Sequence, residues 1–162
     1  MPDIRIREYR PDDVTALIDL FRGAIRTTAL RDYSASQVLA WAPDEIDPEV
    51  FARRRASKQT WVAEINGQIA GFVDLESDGH IDMLYVHAEH QRKGIARTLL
   101  DHIEKAANHS GLDRLYTEAS ITARPSFERG GFQVITTQNV TINGETLTNY
   151  RMEKRIGESS SK

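Results

Sequence analysis

The sequence predicts a single mixed α/β domain, and three observations carry that prediction. The spacing of apolar residues changes between strand period and helix period several times along the chain. Asn66-Gly67 and Asn143-Gly144 mark two tight hairpin turns between alternating segments. The 162 residues, 40% of them apolar, suffice for one hydrophobic core without disulfide or metal support. The absence of cysteine excludes disulfide scaffolds, thiolate zinc sites and a covalent cysteine intermediate. With 24 acidic against 21 basic residues, the chain lacks the positive excess that nucleic acids or anionic membranes demand. Its charged start lacks a secretory apolar stretch, and no run approaches the ~18 apolar residues of a spanning helix. The expectation is a cytoplasmic protein with one domain over 1–156 and a disordered tail from Gly157 to Lys162, with no nucleic-acid or membrane partner.

Ile4 and Ile6 alternate with arginines in a first strand, and Pro11-Asp12-Asp13 opens a helix with acids at its positive end. Val14, Leu17, Ile18, Phe21 and Ile25 recur on one face of that helix. Ser34 and Gln37 have the form of a capping box for a second helix whose buried side is Val38, Leu39 and Trp41, and Pro48 starts a third. Arg53-Arg54-Arg55 reads as a solvated helix face, or as a contact for an acidic group. Three antiparallel strands follow, over 61–65, 68–75 and 80–86, with turns at Asn66-Gly67 and Ser77-Asp78-Gly79. Residues 94–108 form an amphipathic helix that stops at Gly111. A strand at Leu115-Tyr116-Thr117, a short helix from Thr122 to Arg129 and a hairpin over 132–153 complete the chain.

The strand ending in Leu84-Tyr85-Val86 leads into Gln91-Arg92-Lys93-Gly94-Ile95-Ala96 and then a helix. Such a loop presents unpaired backbone N–H groups at the positive end of the helix dipole, and Gly94 and Ala96 leave room for a diphosphate to reach them. Arg92, Lys93 and Arg97 add positive charge. Neither GxGxxG nor GxxxxGK[ST] is present.

These residues resemble the acetyl-CoA signature of the GNAT-type N-acetyltransferase superfamily, an LYV-like strand end followed by [QR]-x-x-G-x-[GA]. Ala123 to Phe132 is similar to that family's A-x-x-x-[YF]-E-x-x-G-F segment, and the stretch around it resembles a YafP-like bacterial subgroup. The resemblance implies a GNAT-like acyl-CoA N-acyltransferase fold: a central mixed sheet of about seven strands, helices on both faces, splayed between the fourth and fifth strands. It implies acetyl-CoA as co-substrate, no metal and an amine acceptor on a small molecule or protein. It further implies that Leu84 and Val86 hold the pantetheine through their backbone, flanked by Tyr85, Ile95, Thr98, Ser120 and Phe127. Homodimers are common in the family.

Transfer to an amine needs a base, a polarised carbonyl and a proton for the departing thiolate. Strict alternation puts His80, Asp82 and Leu84 on one face and Ile81, Met83 and Tyr85 on the other. His80 aligns with the base of some relatives, and its alternative is a solvated residue after a turn. Asp82, an ionised residue inside an apolar strand, is the first choice of base, directly or through water, against a structural or substrate-charge role. Phe127 stands where many relatives carry a thiolate-protonating tyrosine, so Tyr85, Tyr116, Tyr150, water or unassisted departure remain open. That substitution also raises an alternative function, a catalytically weak acyl-CoA-binding sensor or interaction domain. The five histidines show no spacing that completes a metal site.

Overall fold

The computed structural model describes residues 3–157, so positions 158–162 of the tail expected from Gly157 to Lys162 lie outside the described residues. Strands β1 (Ile4–Glu8), β2 (Gln59–Ile65), β3 (Gln68–Leu75) and β5 (Leu84–Val86) form one antiparallel four-stranded sheet in that order. Strands β4 (His80–Ile81), β6 (Arg114–Ser120), β8 (Glu145–Arg155) and β7 (Gln133–Ile142) form a second, in which β4 runs parallel to β6. Helices α1 (Val14–Thr28), α2 (Ala35–Trp41) and α3 (Pro48–Ala56) precede β2, α4 (Ile95–His109) precedes β6, and α5 (Arg124–Arg129) precedes β7.

Two cores flank the sheets. Leu17, Phe21 and Ile25 of α1 pack with Val38, Phe51 and Phe72 on one face, while Ile95, Leu99 and Ile103 of α4 pack with Val73, Ile81 and Met152 on the other. Gly71 on β3 lets α4 approach closely: a Cβ there would meet Ile95 Cγ2 at 2.9 Å and the Tyr85 carbonyl at 3.0 Å. The Ser34 capping box forms with both its hydrogen bonds, Gln37 N–H to Ser34 Oγ at 3.1 Å and Ser34 N–H to Gln37 Oε1 at 2.8 Å. Asn66 and Asn143 take the positive φ values, 53° and 48°, that their hairpin turns require. Leu39 departs from expectation. It is 51% exposed, because so short a helix buries only the Val38 edge against α1 and the β7–β8 hairpin. Among the described residues no helix is long and apolar enough to cross a membrane.

The single strand expected over 80–86 is broken, which raises the strand count from seven to eight. His80 and Ile81 pair with Tyr116 and Thr117, whereas Leu84 to Val86 pair with Val73 to Gly71. Between them Asp82 and Met83 belong to neither strand, although the Met83 carbonyl still accepts from the Asp74 amide at 3.1 Å. Ile81 therefore shares a core with Leu84 and Val86, and Met83 and Tyr85 turn to the opposite core, so strict alternation fails at this point. Three backbone groups at the break find side-chain partners. The Asp82 and Met83 amides donate to Asp74 Oδ1 at 2.8 and 3.2 Å, and Thr117 Oγ1 donates to the Ile81 carbonyl at 2.8 Å. Asp74 Oδ2 accepts from Arg55 Nη1 at 2.6 Å, and both side chains are 0% exposed. Arg55 is thus no part of a solvated face, although Arg53 and Arg54 are exposed. Burial raises the Asp74 carboxyl above its ordinary range, against the opposing pull of Arg55 and the two amides.

Arg55→Met would leave the Asp74 carboxylate buried without its cation. Urea unfolding is expected to show a loss of about 3–5 kcal/mol, and a loss below about 1 kcal/mol would show that the pair does not support the break.

Candidate active site

The break opens a wedge between β5 and the end of β6. In the β3–β5 ladder the Asp74 amide bonds the Met83 carbonyl and the His87 amide bonds the Ala70 carbonyl. By antiparallel alternation the N–H and C=O groups of Leu84 and Val86 then face away from β3, into the wedge. Gln91 Nε2 donates to the Val86 carbonyl at 3.0 Å and anchors the following loop to this edge.

That loop ends at Gly94, in left-handed conformation with φ 82°, where α4 begins without a side-chain cap. The Thr98 amide bonds the Gly94 carbonyl, so the amides of Ile95, Ala96 and Arg97 come before the first intrahelical bond and remain available. A Cβ at Gly94 would meet nothing within 4 Å, so the bare backbone opens onto free space and not onto the protein itself. These amides border a groove of about 620 Å³ rimmed by Arg31, Arg92, Arg97 and Arg129. Ile95 contributes backbone only, its side chain being buried. Lys93 and Thr98 do not line the groove: Lys93 Nζ contacts His90 Nδ1 at 3.1 Å and Thr98 Oγ1 bonds the Gly94 carbonyl at 2.8 Å.

The groove continues past β5 through a narrow waist of about 90 Å³ bordered by Leu84, Val86, Gln91, Ala96 and Ser120. Beyond the waist lies a second cleft of about 260 Å³, reached past Trp41, Tyr85 and Ser120, which border both spaces. Trp41 is therefore cleft wall, whereas Phe51 is core. Tyr33 closes one side, its hydroxyl donating to the Thr148 carbonyl at 2.5 Å and accepting from the Ile121 amide at 2.9 Å.

Asp82 borders this second cleft with 38% of its side chain exposed, 3.5 Å from Arg55 Nη2 and 3.4 Å from Lys58 Nζ. His80 does not line it. Its Nδ1 lies 2.9 Å from Glu76 Oε1 and its Nε2 2.7 Å from Glu118 Oε1. Two carboxylates that only accept require a proton on both ring nitrogens, so His80 is an imidazolium. The Glu118 hydrogen bond, with Glu76 behind it and against the effect of burial, pushes its pKa up to about 9. Glu118, which sequence reasoning missed, borders the cleft. It sits in an alternating strand that offers no sequence signal beyond its register.

The Tyr85 ring packs against Phe21, Trp41 and Phe72. Burial pushes its pKa well above the ordinary phenol value, partly offset by a hydrogen bond from Trp41. Phe127 is 3% exposed, packed edge-on to Phe132 at 5.1 Å, and borders neither cleft. Tyr116 donates its hydroxyl to Asp78 Oδ2 at 2.5 Å, and the Tyr150 ring lies under the Arg124 guanidinium at 4.6 Å. Neither borders the waist or the acceptor-side cleft.

A strand edge with free amides leads from a cation-rimmed helix N-terminus to a separate cleft, an arrangement with room for a long phosphorylated molecule and a second substrate. A family model for the acetyltransferase (GNAT) domain matches residues 29–154. The chain is 40% identical to the N-acetyltransferase YafP of Escherichia coli (strain K12) over 152 residues, 94% of this chain and 96% of that one. A crystal structure of a GCN5-related N-acetyltransferase from Rhodopseudomonas palustris superposes with a TM-score of 0.90 at 35% identity, covering 94% of this chain and 95% of that chain. The fold is also that of the PaiA N-acetyltransferase from Thermoplasma acidophilum in complex with coenzyme A, with TM-score 0.76 at 21% identity over 94% of this chain and 99% of that chain. The chain belongs to the GNAT acetyltransferase family.

The folded-state pKa of His80 lies above the unfolded imidazole value of about 6.5. The stability it contributes is complete below that value and is lost as pH rises through about 9. Thermal unfolding of His80→Gln beside the parent protein is expected to show a wide gap at about pH 6 that closes by about pH 10. A gap independent of pH would contradict the charged pairing.

Proposed function

We propose that the protein is an N-acetyltransferase that moves the acetyl group of acetyl-CoA onto an amine held in the second cleft, by direct attack with both substrates bound. The supporting observation is the continuity of three spaces, the groove at the α4 N-terminus, the waist along β5 and the cleft at Asp82, through residues that border two of them at once. Acetyl-CoA supplies the activated thioester. The amides of Ile95, Ala96 and Arg97, with Arg92 and Arg31, bind its diphosphate. Leu84 and Val86 pair their backbone with its pantetheine arm as an added strand, and one of their amides polarises the thioester carbonyl. Ser120, whose hydroxyl accepts from the Ala123 amide, flanks the arm.

Asp82 takes the amine's proton, directly or through a water, as the C–N bond forms. Tyr85 gives its proton to the sulfur as the C–S bond breaks, and regains one from solvent through the cleft. Its raised pKa keeps it protonated, and it is the tyrosine that borders both the waist and the cleft without a carboxylate on its hydroxyl. His80 acts at one remove, holding Glu118 in place as a charged pair.

Asp82→Ala is expected to keep CoA affinity and lose at least about tenfold in turnover, read by thiol release across an amine panel. An unchanged rate removes the assigned role. Gly94→Asp places a negative charge where the diphosphate docks and is expected to abolish CoA binding by calorimetry. Retained binding would refute this docking site, and binding without turnover on any amine would favour the sensor reading that Phe127 raises.

A further inference from the structure

The ionised groups around the break form one alternating chain. Asp74 pairs with Arg55, Arg55 reaches Asp82, Asp82 meets Lys58, Lys58 pairs with Glu76, Glu76 with His80, and His80 with Glu118. The chain begins and ends on an acid, so four carboxylates share three cations. The two carboxylates that border the second cleft are Asp82 and Glu118: Asp82 lies no closer than 3.4 Å to either of its cations, and Glu118 pairs with His80 at 2.7 Å. Arg151 stands directly across the strand pair from Glu118 but turns to Glu153 at 3.8 Å and over the Tyr116 ring. Among the described residues no lysine, arginine or histidine borders the cleft.

A third acceptor belongs to a residue of the same wall. Asn149, opposite Ser120 on β8, borders the cleft, and its Oδ1 is buried without a hydrogen-bond partner. An orphaned buried acceptor of this kind is unfavourable unless a donor arrives to meet it. The remaining wall is apolar and aromatic, with Phe21, Trp41, Met83, Ile142 and Leu147 among its members.

We infer that the acceptor is a cationic primary amine on an apolar or aromatic body and without a carboxylate, its ammonium completing the charge chain between Asp82 and Glu118 while its body lies against Trp41. This rests on the N-acetyltransferase reading and names its substrate class. The same cleft rejects α-amino acids, because a carboxylate would enter beside two like charges with no cation to receive it. An amine bearing an aromatic group gains a second contact on the Trp41 face.

The test compares amines that differ only in the carboxylate, 2-phenylethylamine against phenylalanine and tyramine against tyrosine, by thiol release from acetyl-CoA. The decarboxylated member of each pair is expected to have a kcat/KM at least about 100-fold higher. Glu118→Gln is expected to raise the KM for 2-phenylethylamine by about tenfold while leaving the KM for acetyl-CoA unchanged. Comparable rates for the two members of a pair, or a Glu118→Gln enzyme with an unaltered amine KM, overturn the inference and leave the transferase reading intact. A binding arm needs no turnover: calorimetry on the CoA-loaded protein is expected to detect 2-phenylethylamine and not phenylalanine at about 10 mM. Failure to bind the amine there overturns the inference on its own, whereas binding with no thiol release from any amine counts against the transferase reading.

Discussion

The Asp74 carboxylate is where the two halves of this protein are kept apart. One of its oxygens accepts the amides of Asp82 and Met83, and the other receives the guanidinium of a fully buried Arg55. Without an acceptor at that spot, two backbone donors would be stranded at the point where the strand leaves one sheet for the other. The wedge, the free edge of β5 and the separation of the helix-end groove from the second cleft all follow from a strand that stops pairing after Ile81 and resumes elsewhere at Leu84.

A buried ion pair is weak support for stability in general, because desolvation offsets attraction. Here it has a second task that an apolar pair of the same volume would not perform, since a hydrocarbon cannot accept the two freed amides. The same guanidinium extends to Asp82, so the group that shapes the backbone also touches the cleft. Structure and chemistry thus share one electrostatic assembly, and two of its carboxylates, Asp82 and Glu118, border the second cleft.

Much of the site was legible in the order of residues. The signature from Leu84 to Ala96 and the segment from Ala123 to Phe132 pointed to the family, and Gly94 has the left-handed conformation and open approach that its position implied. Asp82 was legible as an ionised residue in an apolar strand. Asp74 carries the same signal within Ile69 to Leu75, but a charge in a strand does not reveal whether it faces a cleft or an internal partner. His80 looked like a relay candidate by alignment. Only the convergence of Glu76 and Glu118, four and 38 positions away, shows it to be a charged link.

The sequence by itself determined the elements, the hairpin registers, the helix caps and the glycine loop that opens the long helix after β5, because each depends on residues within a turn or two of one another. The tertiary structure alone decided that the strand over 80–86 is broken, that Arg55 is buried while Arg53 and Arg54 are not, and that Glu118 and Asn149 meet Asp82 across a cleft. Those outcomes depend on the balance of charge and hydrogen bonding among residues far apart in the chain, and local spacing carries no record of which carboxylate will find which cation.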